Sequence, residues 1–421
     1  MTTPDPALAS AMAAFHADDA AALRATLASQ PQLRAVINAP IGPFDAPVII
    51  YTKSREMLDV LVEAGADIDA RSTWWAGGFG LLDMAAPELA QYAIERGATL
   101  TVHAAARLGL VDELGRFIAA DSTCVHARGG DGQTPLHFAS TVEAADVLIA
   151  AGADLDAKDV DHESTPAQYM VGQRQPVARH LVAGGCRTDL LMVAALGDLA
   201  RTRAHLDADP ARVGMRVDND WFPKANPKAG GTIYNWTLDF YASAHEVAKR
   251  FGHTDVLDLL FERTPPAARV VEACWIEDEA KAREGLAAAP GFAGALSDGQ
   301  RQLLAHAARN NRTTAVRLFL ECGLPVDTVG QHQGTPLHWG AFHGNAGMVR
   351  EILRFNPPLE ATDRDFKATP LGWAMHGSEH GWYVSTGEHA QVVELLLNAG
   401  ARRPETISGS LAVREVLQRH S

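Results

Sequence analysis

The sequence predicts an all-α protein built as an array of about twelve short helix–turn–helix units with three loop insertions. Three observations predict it. A short segment recurs, first as Gln133-Thr134-Pro135-Leu136-His137-Phe138-Ala139 and again as Gly334-Thr335-Pro336-Leu337-His338-Trp339-Gly340. A third copy, Ala368-Thr369-Pro370-Leu371-Gly372-Trp373-Ala374, follows one repeat length after the second. Apolar helix patterns then stop at Gly-Ala, as in Leu61-Val62-Glu63-Ala64-Gly65-Ala66, Leu148-Ile149-Ala150-Ala151-Gly152-Ala153 and Leu396-Leu397-Asn398-Ala399-Gly400-Ala401. Finally, with 47% hydrophobic and 21% charged residues, the chain can bury a sizeable core,.

Each element of the unit has a physical reason. The Thr caps a first helix, and Pro takes the first helical position, where a missing N–H costs nothing. Small Ala residues allow two short antiparallel helices to approach closely. Gly after the second helix supplies a left-handed C-cap. One such unit cannot bury its own apolar face, so stacking must make the core. Carrying the register along the chain places unit starts near residues 8, 44, 79, 100, 131, 164, 189, 240, 267, 301, 334 and 368. The expected organisation is one array over 1–421, with N-terminal repeats 8–212, an insertion 213–238, C-terminal repeats 239–403 and a capping tail 404–421.

These segments resemble the ankyrin repeat, whose T-P-L-H-x-A start and regular period are specific when they recur. The whole chain also resembles a group of bacterial ankyrin-only proteins of similar length, through Trp74 to Gly80, His338 to Asn345 and Gly377 to Trp382. That group implies a fold and no activity.

Three places are longer than the repeat requires. They are the aromatic tip Trp74 to Gly80, the insertion Val213 to Leu238, and His376 to Ala390, expected as a stretched turn in the last full repeat. Loops on one face of such arrays often carry binding.

The resemblance implies a concave face lined by two positions of each first helix. The first position reads Glu272, His306, Trp339 and Trp373, each one period from the next, so the four are expected to stack as one column. The second reads Trp275, Arg309, Phe342 and His376, with Asn310 and His343 beside it and His332, Asp365 and Phe366 at the finger tips. Eight Trp are many for a repeat whose core does not use them. Trp275, Arg309, Asn310, Trp339, Phe342, Phe366, Trp373 and Trp382 are the candidate ligand-binding residues, since apolar walls with a few polar groups suit a small ligand or a peptide anchor. The bland alternatives are that Trp339 and Trp373 pack on each other and that Arg309 pairs with Glu272. His103, His137, His253 and His338 are expected to be structural, whereas His306, His343 and His376 fall off the structural position and point to the surface.

The first expectation is a non-catalytic scaffold that binds a protein segment or a small molecule. The alternative is a cofactor-free hydrolase, lyase or isomerase using Glu272, His306, His343, Asp365 and His376 as acid–base groups. No P-loop or G-x-S-x-G is present, and no H-E-x-x-H,. His376 and His380 are four apart, but the glycines around them argue against a helix, so no metal and no cofactor are expected. A net charge of −14 opposes nucleic acid and an anionic membrane,. The widely spaced Cys124, Cys186, Cys274 and Cys322, with no C-x-x-C pair, argue against a disulfide framework,. With no basic leader in Met1 to Asp5, the reading is a cytoplasmic monomer,.

Overall fold

In a computed structural model, residues 6–420 are described; residues 1–5, read above for a leader, and residue 421 lie outside the described residues. The described residues form α-helices and short 3-10 turns with no β-strand, only isolated bridges such as Arg216–Ser243. First helices begin at Leu81, Val102, Pro135, Pro166, Leu190, Ala244, Pro266, Asp298, Pro336 and Pro370, close to the expected register. In the second repeat the first helix is a 3-10 turn, Val48–Tyr51.

The recurrent segment folds as its chemistry requires. Thr335 N–H donates to Nδ1 of His338 at 3.1 Å, so that nitrogen is the acceptor and Nε2 carries the hydrogen. Nε2–H then reaches the Ala368 carbonyl of the next repeat at 3.2 Å. His137 repeats the arrangement, with Thr134 on Nδ1 at 3.1 Å and Ser164 O 3.1 Å from Nε2. This is a capping box with His in the place of Glu or Gln, and it ties one repeat to the next. Nε2 of His103 lies 3.0 Å from Ala127 O, and that of His253 lies 3.1 Å from Ala195 O. The Gly stops adopt the left-handed backbone, with φ of 93° at Gly152 and 103° at Gly400,.

The chain forms two compact units. The first comprises the described residues up to Met192 together with Val217–Asp239; the second comprises Val193–Arg216 and Phe240 onward. The insertion read as 213–238 is thus split, with residues 213–216 in the second unit. In the second unit, first helices Pro266–Trp275, Asp298–Arg309, Pro336–Phe342 and Pro370–His380 pack on one another in sequence. Their partners Thr313–Glu321, Ala346–Leu353 and His389–Asn398 stack likewise, and Leu411–Arg419 packs on the last of them. Leu304, Ala308, Leu337, Ala341 and Ala374 are wholly buried between the layers. The small Ala side chains let the helices close to this distance.

In the first unit, residues 217–239 are held on the finger loop of the repeat that begins at Pro166. Glu163 accepts from the N–H groups of Ala225 and Asn226 at 2.8 and 2.7 Å. Tyr234 is fully buried, and its hydroxyl donates to Asp189 at 2.9 Å. Part of the aromatic content here is therefore core.

Two expectations change. Helix Pro370–His380 runs through both His376 and His380, despite Gly372 and Gly377. Gly377 lies within the helix, and a Cβ there would meet the Phe342 carbonyl at 2.2 Å; the glycine permits the close approach of two first helices. The cysteine spacing hid a contact: Cys274 and Cys322 bring their sulfurs to 3.7 Å, both as free thiols.

Candidate functional site

The expected column on the concave face divides in two. Its lower half is closed. Glu272 is buried and bonded to the Arg216 guanidinium, with His245 Nδ1 3.5 Å away. Burial would raise its pKa, but Arg216 and His245 outweigh that and hold the carboxyl below its ordinary value,. His306 is buried under Tyr241, which stacks on it at 3.7 Å. Burial, with the charges of Arg309 and Arg216, pushes its pKa down to about 3. Trp275 is fully buried and donates its indole N–H to Glu246 at 2.6 Å. Its ring lies between Arg216 and Arg312, whose guanidinium carbons are 4.9 and 5.0 Å from it.

These are corrections to the sequence reading. Glu272, His306 and Trp275 are core residues because Arg216 and Tyr241, both outside the helix pattern, cover them. His343 is also core. It is buried with Nε2 at 2.8 Å from the Arg309 carbonyl, and burial lowers its pKa to about 4. Asn310 is occupied by the Phe240 carbonyl at 2.6 Å. Arg309 does not pair with Glu272. It donates to Gln331 at 2.8 Å and lies over the rings of Phe240, Trp382 and Trp339 at 4.5, 5.3 and 5.8 Å.

The upper half is open. Trp339, Phe342, Phe366, Trp373 and Trp382, with His332 and His376, line a cavity of about 370 Å³. Trp339 and Trp373 meet edge to face at 4.9 Å, and Trp382 stacks over Trp339 at 6.0 Å. The loop after helix Pro370–His380 thus delivers one wall. The fingertip delivers another: Phe366 is 65% exposed and Trp382 58% exposed, facing water with large apolar surfaces,. His376 stacks beside Phe342 at 6.4 Å and near His380 at 4.9 Å.

Asp363 anchors this half. Its carboxylate accepts from the N–H groups of Asp365, Phe366 and Ala368 at 2.9, 2.6 and 3.0 Å, and from the Trp373 indole at 2.9 Å. Burial opposes the charge, yet these donors hold its pKa below the ordinary value,. At the tip, Asp365 pairs with His332 at 2.7 Å and with Arg364 at 2.8 Å, which lowers its pKa to about 2.

A second cavity, about 360 Å³, lies in the first unit and is more polar, with His162, Glu163, Gln168, Asp189 and Lys224 in its wall. It was not legible in the sequence, because the insertion supplies Trp221 to Lys224 from far along the chain.

Residues 131–160 match the ankyrin repeat family model. Among solved structures, the human ASB11 ankyrin repeat domain aligns with 73% of this chain and all of its own, at 17% identity and a TM-score of 0.29. With recurrent capped helix pairs and a matched repeat, the chain is an ankyrin-repeat protein. Repeats of this class are generally protein-interaction scaffolds. No described helix is long and apolar enough to cross a membrane.

Proposed function

We propose that this chain is a non-catalytic recognition scaffold that grips a protein segment by one aromatic or large apolar side chain, seated in the cavity of the second unit. The observation that carries the reading is the pair Phe366 and Trp382, exposed on either side of a roughly 370 Å³ aromatic cavity. Exposed aromatics that enclose a cavity of this size suit an anchor residue. The class of protein favours a peptide over a small molecule. Free thiols at all four cysteines support a reducing compartment such as the cytoplasm, and the reading takes the protein as a monomer,.

The acid–base alternative has less support. Glu272, His306 and His343 are buried beneath other side chains. Of that group His376 lines the cavity, and Asp365 reaches it only through His332.

Selection from a displayed peptide library tests the proposal. Enriched peptides should share one aromatic or large aliphatic position. Trp382→Ala should weaken their binding at least tenfold while changing stability by no more than about 1 kcal/mol, as expected for an exposed side chain. Unchanged affinity in Trp382→Ala and Phe366→Ala would remove the cavity from consideration. Enrichment of no motif, with binding of small aromatic fragments instead, would favour the small-molecule reading.

A further inference from the structure

Two neighbouring fingertips of the first unit place three metal-ligating groups together. Asp131 and Asp161 stand in adjacent finger loops, and His162 follows the second. One donor atom from each of the three lies within 4.8 Å of the others. Nδ1 of His162 lies 3.0 Å from the Gly231 carbonyl, which can only accept, so Nδ1 carries a hydrogen and Nε2 is the nitrogen left to face the two carboxylates,.

Nε2 faces a gap. Asp131 Oδ2 is 3.6 Å from Nε2 and Asp161 Oδ2 is 3.8 Å from it, both too long for a hydrogen bond,. Two ligands at about 2.1 Å from a tetrahedral ion stand about 3.4 Å apart. The corresponding pair in the second unit, His332 and Asp365, closes to a direct contact of 2.7 Å. The first-unit trio stays spread.

Asp131 supplies the independent observation. It is 8% exposed, and its carboxylate is paired with Nε2 of His162 across the gap, at 3.6 Å. A carboxylate this buried calls for a cation at the gap, which is either the His162 imidazolium or a bound metal ion. The outer groups are also in place. The Gly231 carbonyl orients His162, and Gly230 N–H donates to Asp161 Oδ1 at 3.0 Å, leaving Oδ2 turned to the gap,. Both come from the insertion, so residues 217–239 complete the arrangement. About a tenth of each side chain remains exposed, 11% for His162, 12% for Asp131 and 8% for Asp161, which leaves an entry path.

We infer that Asp131, Asp161 and His162 bind one divalent transition-metal ion, zinc foremost, with water in the remaining positions. One imidazole among the ligands favours such an ion over calcium or magnesium, which take oxygen. The inference is independent of the peptide cavity in the second unit.

Calorimetric titration of ZnCl₂ into untagged, chelator-stripped full-length protein tests it, with circular dichroism as the folding control. Wild type should bind one tight equivalent that His162→Ala lacks. Asp161→Asn and Asp131→Asn keep the shape of the side chain and should weaken the site at least ~100-fold, beyond what outer-group changes cost. In nitrogen-15 NMR spectra, zinc should shift Nε2 of His162 in the wild type. Equal zinc binding by wild type and all three variants, no binding by the wild type, or an Nε2 signal that zinc leaves in place would overturn the assignment.

Discussion

Tyr241 lies flat on His306, with ring centroids 3.7 Å apart and planes 13° from parallel. The stack seals an imidazole that the repeat register alone would have left at the surface. His306 is consequently neutral in the folded chain, with a pKa near 3, and His343 follows with one near 4. In the unfolded chain both take up a proton near pH 6.5. Below that pH the unfolded state binds more protons, so folding stability falls as pH drops and goes on falling until the folded values are reached. Each such histidine costs up to about 1.4 kcal/mol per pH unit in this window. Urea denaturation should show a lower midpoint at pH 5 than at pH 7. His306→Phe, which keeps the stack and cannot protonate, should flatten that dependence; an unaltered slope would mean that His306 is charged in the fold.

Arg216 and Glu272 are the second test. The guanidinium bonds the carboxylate, donates to the Tyr241 carbonyl at 2.9 Å and covers Trp275. Arg216→Ala strands a buried carboxylate and should cost about 3–5 kcal/mol in equilibrium unfolding. Replacing both residues with Met removes the stranded charge, so the double variant should be more stable than Arg216→Ala. A double variant no more stable than that single one would show that the stranded carboxylate is not what the single variant loses.

Thiol reactivity gives a third. Cys274 is fully buried and donates to Cys322, which lowers the Cys322 pKa below its ordinary value. The half-exposed Cys124 is pushed the other way by burial and by Asp121. Iodoacetamide at neutral pH should therefore modify Cys322 before Cys124, and Cys274 only on unfolding. Peptide mass mapping over time reads the order, and faster labelling of Cys124 would contradict it.

How much of this was legible in the sequence depends on distance along the chain. Thr335, Pro336 and His338 are local, and the cap they build follows from their spacing. The wall formed by Trp339 and Trp373 is one period apart, so the register reaches it as well. Arg216 and Tyr241 are different. They precede Glu272 and His306 by more than one period, at the edge of an insertion with no repeat pattern. Nothing in the register shows that they fold over the column. Gly377 misled for another reason: it marks a close helix contact, where a glycine in isolation reads as a break. Asp131 and Asp161 lie in adjacent finger loops, but only the bond from His162 Nδ1 to Gly231, far along the chain, turns Nε2 toward them.

Asp363 grips its own loop and the Trp373 indole with one carboxylate. The tip bearing Phe366 and the ring behind it therefore move as one rigid jaw. Trp382 stands opposite on a separate stretch, 381–388, where ring contacts and the Arg309 guanidinium hold it and no side-chain hydrogen bond does so among the described residues. A clamp with one fixed and one adjustable side can change what it holds by drift in that short stretch, without rebuilding the repeats beneath.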